Sequence, residues 1–207
     1  MKYHDEILGL QGHRAGVARA ISRVAPAPFV NLYVGIIMSC FSPITLGPFL
    51  TPFTSVIICL VLMVVAPVSP IVIQAHRGKV DLDVSAREMR LRFFAFSLLC
   101  YVAAYVVYWW LQCDIMRVLA AAYFGVTSAV MITTLRTKIS VHAAGVGGPG
   151  TALLFVYGMA ALPVVILWIA VVWARTTLRQ HSLAQSVGGI LIGMAVTLAV
   201  YSLLYQF

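Results

Sequence analysis

The chain has 207 residues, of which 62% are hydrophobic and only 10% are charged, and its formal net charge is +8. A soluble domain carries about 25% charged residues, so this composition excludes an ordinary soluble protein. A helix of about 20 apolar residues crosses the bilayer core, and its backbone satisfies its own hydrogen bonds there. We therefore predict an all-α, polytopic transmembrane helix bundle that is integral to the cell membrane.

The first 27 residues differ from the rest of the chain, because they are polar and basic and have no apolar core before Val30. This pattern does not fit a cleaved signal peptide. Spaced apolar residues between Leu8 and Ile21 favour a weakly amphipathic helix on the membrane surface, and a disordered basic arm is the alternative. We treat residues 1–27 as this arm or interfacial helix and residues 28–207 as a single transmembrane domain.

Two long apolar blocks have to be divided before the crossings can be counted. Residues 28–74 are too many for one span and contain the turn-forming stretch PITLGP near their middle, which predicts two helices. Residues 143–174 form either one tilted helix or two short ones with a turn between Gly158 and Pro163. The predicted helices are 28–46, 51–75, 93–111, 115–135, two within about 139–178, and 183–206. The bundle then has seven helices, or six if the first block is a single broken element.

The distribution of positive charge favours seven crossings. With seven helices, all but one of the 14 Lys and Arg residues lie on the same side of the membrane, and Arg117 alone lies opposite. A single helix over residues 143–174 would instead move Arg175 and Arg179 across the membrane. Because basic loops face the cytoplasm in membrane proteins, we predict that this side is cytoplasmic.

Three polar segments, 76–92, 136–142 and 175–185, come together on that predicted surface. They are rich in basic residues, which suit an anionic ligand such as a phosphate. A helix that begins in the second segment would direct free backbone N–H groups at the same ligand. The segments also contain His142 and His181, which can supply a nucleophile and a proton donor near neutral pH.

Nothing in the sequence indicates a metal, a cofactor or a nucleic-acid partner. The four cysteines lie in or beside apolar segments without any CxxC spacing, and no set of metal ligands is visible. The small-residue run 143–150 (AAGVGGPG) permits close helix packing. Room for a lipid chain beside His142 is the alternative interpretation of this run.

Two of these segments carry recognisable signatures. Arg175-x5-His181-x3-Gln185 resembles S-R-x5-H-x3-D, the third signature of the phosphatidic-acid phosphatase type 2 superfamily of membrane lipid phosphatases. The stretch ISVH, which contains Ser140 and His142, is similar to the second signature, P-S-G-H, which opens a helix in that family. The order and the helix spacing agree with the family over about residues 76–206.

The first signature, K-x6-R-P, is matched loosely. Lys79 and Arg87 are separated by seven residues rather than six, and Arg90 is followed by Leu91 rather than by proline. Both the phosphate-binding and the topological interpretation therefore stay open for Lys79, Arg87 and Arg90.

The resemblance implies a role for each matching residue. His181 would attack phosphorus and form a phosphohistidine, and His142 would protonate the leaving group. The residues that would hold the phosphoryl oxygens are Arg175, Ser140, Lys79 and one or both of Arg87 and Arg90. Phosphoryl transfer depends mostly on positioning and charge stabilisation, for which arginine side chains are well shaped.

The chain departs from the family at the residue that orients the nucleophile. Gln185 replaces the family's aspartate, and it lies one helical turn beyond His181, within reach of a hydrogen bond to the ring. A neutral amide cannot stabilise an imidazolium with charge, so a weaker nucleophile is expected. Ala174 also replaces the serine before Arg175, and Val141 replaces the glycine of the second signature.

We expect an enzyme, a metal-independent phosphatase that acts on a membrane lipid phosphate or diphosphate, with polyprenyl or isoprenoid substrates favoured. A lipid phosphotransferase is one alternative. The other is a catalytically silent membrane protein that binds or moves an anionic lipid, an alternative that the change to Gln185 keeps open.

Overall fold

A computed structural model describes residues 9–82, 84 and 87–206, apart from the side chains of Arg87 and Glu88. This part of the chain is mostly helical and contains no β-strand, so the predicted all-α class is confirmed. The helices are α1 (His13–Val24), α2 (Ala27–Cys40), α3 (Pro52–His76), α4 (Arg87–Trp110), α5 (Asp114–Thr134), α6 (Val141–Tyr157), α7 (Val164–Thr177) and α8 (Leu183–Leu204).

Five of these helices are long and apolar enough to cross a membrane: α3, α4, α5, α8, and α6 with its 3-10 extension to Ala161. Helices α1 and α2 meet at an angle of 52° and would add a sixth crossing if they form one bent span. These lengths support an integral membrane protein. The predicted seven full crossings are not reproduced. Helix α7 has 14 residues and is only about 21 Å long, which is less than the ~30 Å of the hydrocarbon core.

The division of the block 143–174 agrees with the helix boundaries. Helix α6 ends at Tyr157, a 3-10 turn follows over Gly158–Ala161, and α7 begins at Val164. Gly158 adopts a φ of 56°, which glycine reaches without steric cost and which ends α6. Helices α6 and α7 therefore form a hairpin that returns the chain to the end of the bundle where α6 began.

The prediction of a helix over residues 28–46 is wrong at its C-terminal end. Helix α2 stops at Cys40, and the next helix begins only at Pro52. The intervening segment contains Pro43 and Pro48, which cannot donate a backbone hydrogen bond, and Gly47 at a φ of 85°. The capping box of α3, formed by Thr51 and Thr54, then fixes where the helical structure resumes.

Glycines bring α6 and α8 into backbone contact. A Cβ atom at Gly189 would lie 2.7 Å from the carbonyl oxygen of Ser140, and one at Gly147 would lie 2.7 Å from the carbonyl oxygen of Ile190. A Cβ atom at Gly193 would lie 2.6 Å from the backbone nitrogen of Gly148. Small residues on both helices thus permit the close packing that the run 143–150 predicted.

Helix α1 packs against the end of α7. Ala18 and Ile21 of α1 contact Ala174 and Leu178 in a small apolar cluster that is separate from the main core. Residues 13–24 are therefore helical and attached to the bundle, while the position of this helix at a membrane surface stays a prediction. Residues 1–8 of the predicted arm lie outside the described part of the chain.

Candidate functional site

The third and second signature segments meet at one end of the bundle. The backbone N–H of Ser140, at the start of α6, donates to the carbonyl oxygen of Gln185, at the start of α8, over 3.3 Å. The side chain of His142 interacts electrostatically with Arg175, His181 and Arg90. The starts of α4, α6 and α8 and the end of α7 therefore contribute to one polar cluster. We call it the basic cluster, and its members are Arg90, Ser140, His142, Arg175, His181 and Gln185.

A tight turn between α7 and α8 sets the position of His181. The backbone N–H groups of Gln180 and His181 both point at the carbonyl oxygen of Arg175, at 3.2 and 3.4 Å. Arg179 takes a φ of 54°, which reverses the chain direction after the last turn of α7. The five residues between Arg175 and His181 thus fold back, so that the arginine and the histidine of the signature become neighbours.

Gln185 orients the ring of His181. Its Oε1 atom lies 3.3 Å from Nδ1 of His181 and accepts a hydrogen bond from the backbone N–H of Ser182 at 3.1 Å. The backbone N–H fixes which end of the amide is the oxygen, and an amide oxygen only accepts hydrogen bonds. Nδ1 of His181 therefore carries the proton, and Nε2 keeps a free lone pair. The same glutamine completes the capping box of α8 with Ser182.

The site makes His181 a neutral imidazole. Its side chain is 7% exposed, and burial is the main reason that its pKa falls to about 3. The charges of Arg175 and Arg90 lower the pKa further, while the hydrogen bond to Gln185 opposes the shift. A histidine that is neutral at physiological pH can act as a nucleophile without first losing a proton.

Two buried arginines supply the positive charge of the basic cluster. Arg175 is 2% exposed and Arg90 is 5% exposed. One guanidinium nitrogen of Arg175, Nη1, donates to Oγ of Ser22 in α1 at 2.9 Å. Nε of Arg90 donates to the carbonyl oxygen of Val84 at 2.6 Å. Burying a charged arginine side chain costs free energy, and these hydrogen bonds offset part of that cost.

Ser140 is fully buried at the N-cap of α6. Its Oγ atom accepts a hydrogen bond from the backbone N–H of Ala143 at 3.3 Å. A hydroxyl has a donor as well as acceptor lone pairs, so this cap leaves the O–H available to donate to an anion. Ser140 therefore combines helix capping with a position next to His142.

The first signature is only partly brought to the site. Arg90 lies in the basic cluster, whereas Lys79 is exposed in the turn that follows α3, and nothing among the described residues joins its side chain to the cluster. The backbone of Arg87 begins α4, but its side chain lies outside the described part of the chain. Of the predicted phosphate ligands, Arg175, Arg90 and Ser140 are placed together.

An apolar cavity of about 360 Å³ adjoins the basic cluster. We call it the chamber, and at one end it is lined by Arg23, Arg90 and His142. At the other end it is lined by Asn31, Tyr101 and Tyr123. Most of its wall is formed by apolar side chains of α2 to α6. A cavity of this size and lining is typical of sites for small amphiphilic ligands.

The contribution of α1 to this end of the bundle was not predicted from the sequence. Ser22 contacts Arg175 across 153 residues of sequence, and Arg23 lines the chamber. Neither residue belongs to a signature, and only the docking of Ala18 and Ile21 on α7 brings them to the site. The available signal was weak: a polar Ser-Arg pair just before the first apolar block.

Within the described residues, no three His, Cys, Asp or Glu side chains are grouped as ligands for a metal ion. Comparisons with protein-family models, curated proteins and solved structures found no match to the chain.

Proposed function

We propose that this protein is a membrane-embedded phosphatase that hydrolyses the phosphate ester or diphosphate of a lipid. The observation that carries the proposal is the state of His181. Its ring is neutral, its protonated nitrogen is directed at Gln185, and two buried arginines lie next to it. A neutral imidazole beside fixed positive charge suits attack on a phosphoryl group, whose oxygens the arginines hold and whose charge they balance.

In the proposed reaction, Nε2 of His181 attacks phosphorus, and the bond from phosphorus to the leaving oxygen breaks. His142, protonated when the anionic substrate is bound, gives its proton to that oxygen. Water then attacks the phosphohistidine, the P–N bond breaks, and His142 recovers a proton from the water. The products are the lipid alcohol, or the lipid monophosphate from a diphosphate, together with inorganic phosphate and the original His181.

The chamber supports a lipid as the substrate. Arg90 and His142 line both the basic cluster and the chamber, so an anionic head and an apolar chain fit on either side of them. Ala144 and Gly145 also line it, which agrees with the alternative interpretation of the small-residue run as room for a lipid chain.

The test is the release of inorganic phosphate from a prenyl phosphate and a prenyl diphosphate by purified protein in detergent with a chelator present. We expect His181→Ala to abolish release and His76→Ala, a change at an exposed histidine, to leave it unaltered. Phosphate transfer to an added alcohol, without release in its absence, would identify a phosphotransferase instead. Binding of the lipid phosphate without turnover would refute both enzymatic functions and support a silent binding protein.

A further inference from the structure

We infer that the chamber accepts the apolar chain of the substrate and that Tyr101 and Tyr123 close its inner end, so that these two residues limit the length of chain that fits. This inference rests on the proposed function for the identity of the head group. It goes beyond that function by naming two residues that select lipid substrates by the length of their chain.

The depth of the chamber follows from the helix that forms one of its walls. Arg90, Ser97 and Tyr101 of α4 all line the chamber. With a rise of about 1.5 Å per residue, Tyr101 lies about 16 Å along the helix axis from Arg90. Half of the hydrocarbon core of a bilayer is about 15 Å thick, so the chamber is about as deep as one leaflet.

Two aromatic rings line the chamber at its inner end, and a hydrogen bond holds one of them, the ring of Tyr101. The rings of Tyr101 and Tyr123 pack edge to face with centroids 5.8 Å apart, and both residues are buried. The side-chain amide of Asn31 donates to the hydroxyl oxygen of Tyr101 at 3.4 Å and to the carbonyl oxygen of Met63 at 3.3 Å. Met63 lies in a π-helical segment of α3, Leu60–Val65, which interrupts the regular α-helical hydrogen bonds, and Asn31 supplies a donor to its carbonyl oxygen.

The charge at the outer end determines the orientation of the occupant. Arg90 and His142 lie at the start of α4 and α6, where an anionic head group is stabilised, and the walls beyond them are apolar. An amphiphile therefore enters with its chain pointing at Tyr101 and Tyr123. Each methylene buried in the chamber should improve the affinity about fourfold until the chain reaches the rings.

The experiment measures binding of n-alkyl phosphonates of increasing chain length to purified protein in a sterol-based detergent, which has no alkyl chain to compete for the chamber. We expect the dissociation constant to fall with each methylene and then to stop falling at a break point. Tyr101→Ala should move the break point to chains longer by about 5 Å, and Ser97→Phe, which fills the chamber one turn nearer Arg90, should move it to shorter chains. Tyr101→Phe keeps the ring and should leave the break point unchanged.

Opposite shifts in the two variants cannot come from a general loss of stability. A break point that neither variant moves would overturn the inference, as would an affinity that rises with chain length without any break. Because phosphonates are not hydrolysed, a break point that shifts as expected in a protein without phosphatase activity would refute only the proposed function. Phosphatase activity with no break point would refute only the limit on chain length.

Discussion

Replacing Gln185 by glutamate tests the orientation of His181 with little steric change. The two side chains have the same length, and glutamate at this position keeps the capping box with Ser182. The new carboxylate would also place a negative charge in the first turn of α8, where the helix dipole favours it. The Gln185→Glu variant therefore changes chiefly the charge on the atom that faces Nδ1 of His181.

The separation of Oε1 from Nδ1, 3.3 Å, sets the size of the effect. Coulomb attraction at that distance is about 5 kcal/mol for an effective dielectric constant near 20. Carboxylates this close to a charged partner shift a pKa by about 1–3 units, or ~1.4–4 kcal/mol. Starting from a pKa of about 3, His181 would titrate between about 4 and 6 and stay neutral at pH 7. If the same stabilisation acts on the developing cationic ring, phosphate release accelerates about 10- to 1000-fold.

The measurement is the pH dependence of phosphate release by wild type, Gln185→Glu and Gln185→Met. The rate falls where acid protonates His181, so we expect an acid limb that moves upward in Gln185→Glu. Gln185→Met removes the acceptor for the Nδ1 proton and should lower the rate about 10- to 100-fold. An acid limb that does not move, or a slower Gln185→Glu enzyme, would show that Gln185 does not contact the reacting histidine in the working protein.

Two further outcomes follow from single contacts, and a third follows from the predicted topology. Ser22→Ala removes an acceptor of Arg175, so KM for the lipid phosphate should rise about tenfold with little change in kcat. Ser22→Thr keeps the hydroxyl and should restore the wild-type KM. A fall in kcat alone would refute this positioning role of Ser22. Gly189→Ala places a Cβ atom 2.7 Å from a backbone carbonyl and should lower the midpoint of thermal unfolding, whereas Gly188→Ala, with 3.4 Å to its nearest neighbour, should not. If the predicted cytoplasmic orientation is right, Arg179→Cys in a cysteine-free background should be protected in intact cells from an impermeant thiol reagent; rapid labelling would overturn that prediction.

The helices could be predicted from the sequence because their signals are local. Apolar block length and turn residues located α3 and α5 to α8 closely, and Gly158 and Pro163 marked the break between α6 and α7. Helix α4 begins at Arg87, six residues before its predicted start, because its first turns are too polar for the hydropathy pattern to include them. The segment after Cys40 was placed less accurately, because Phe41, Ile44 and Leu46 continue the apolar block past the end of α2. There, prolines and a glycine with positive φ overrode the hydropathy pattern.

The proximity of the candidate site residues could be predicted only where they follow a fixed spacing. Arg175 and His181 become neighbours through a turn within their own signature, and Gln185 follows one helical turn later. The hydrogen bond from Arg175 to Ser22 has no such local signal, because it depends on how α1 docks on α7. The chamber depends on the relative positions of six helices, α1 to α6, which no single segment of sequence specifies.

Gln185 orients the ring of His181 without the aspartate that stands at this position in the signature that the segment resembles. An amide could present either its oxygen or its NH2 group to Nδ1 of His181, and the second choice would protonate Nε2 and block attack. The backbone N–H of Ser182 removes that choice, because it must face the oxygen. The ring is therefore held in the tautomer that an aspartate would select. What the amide does not supply is negative charge, so in the proposed reaction the bound phosphate itself has to balance Arg175, Arg90 and the cationic ring. In the proposed reaction, an amide at this position is therefore expected to lower the rate of phosphoryl transfer while it keeps His181 aligned.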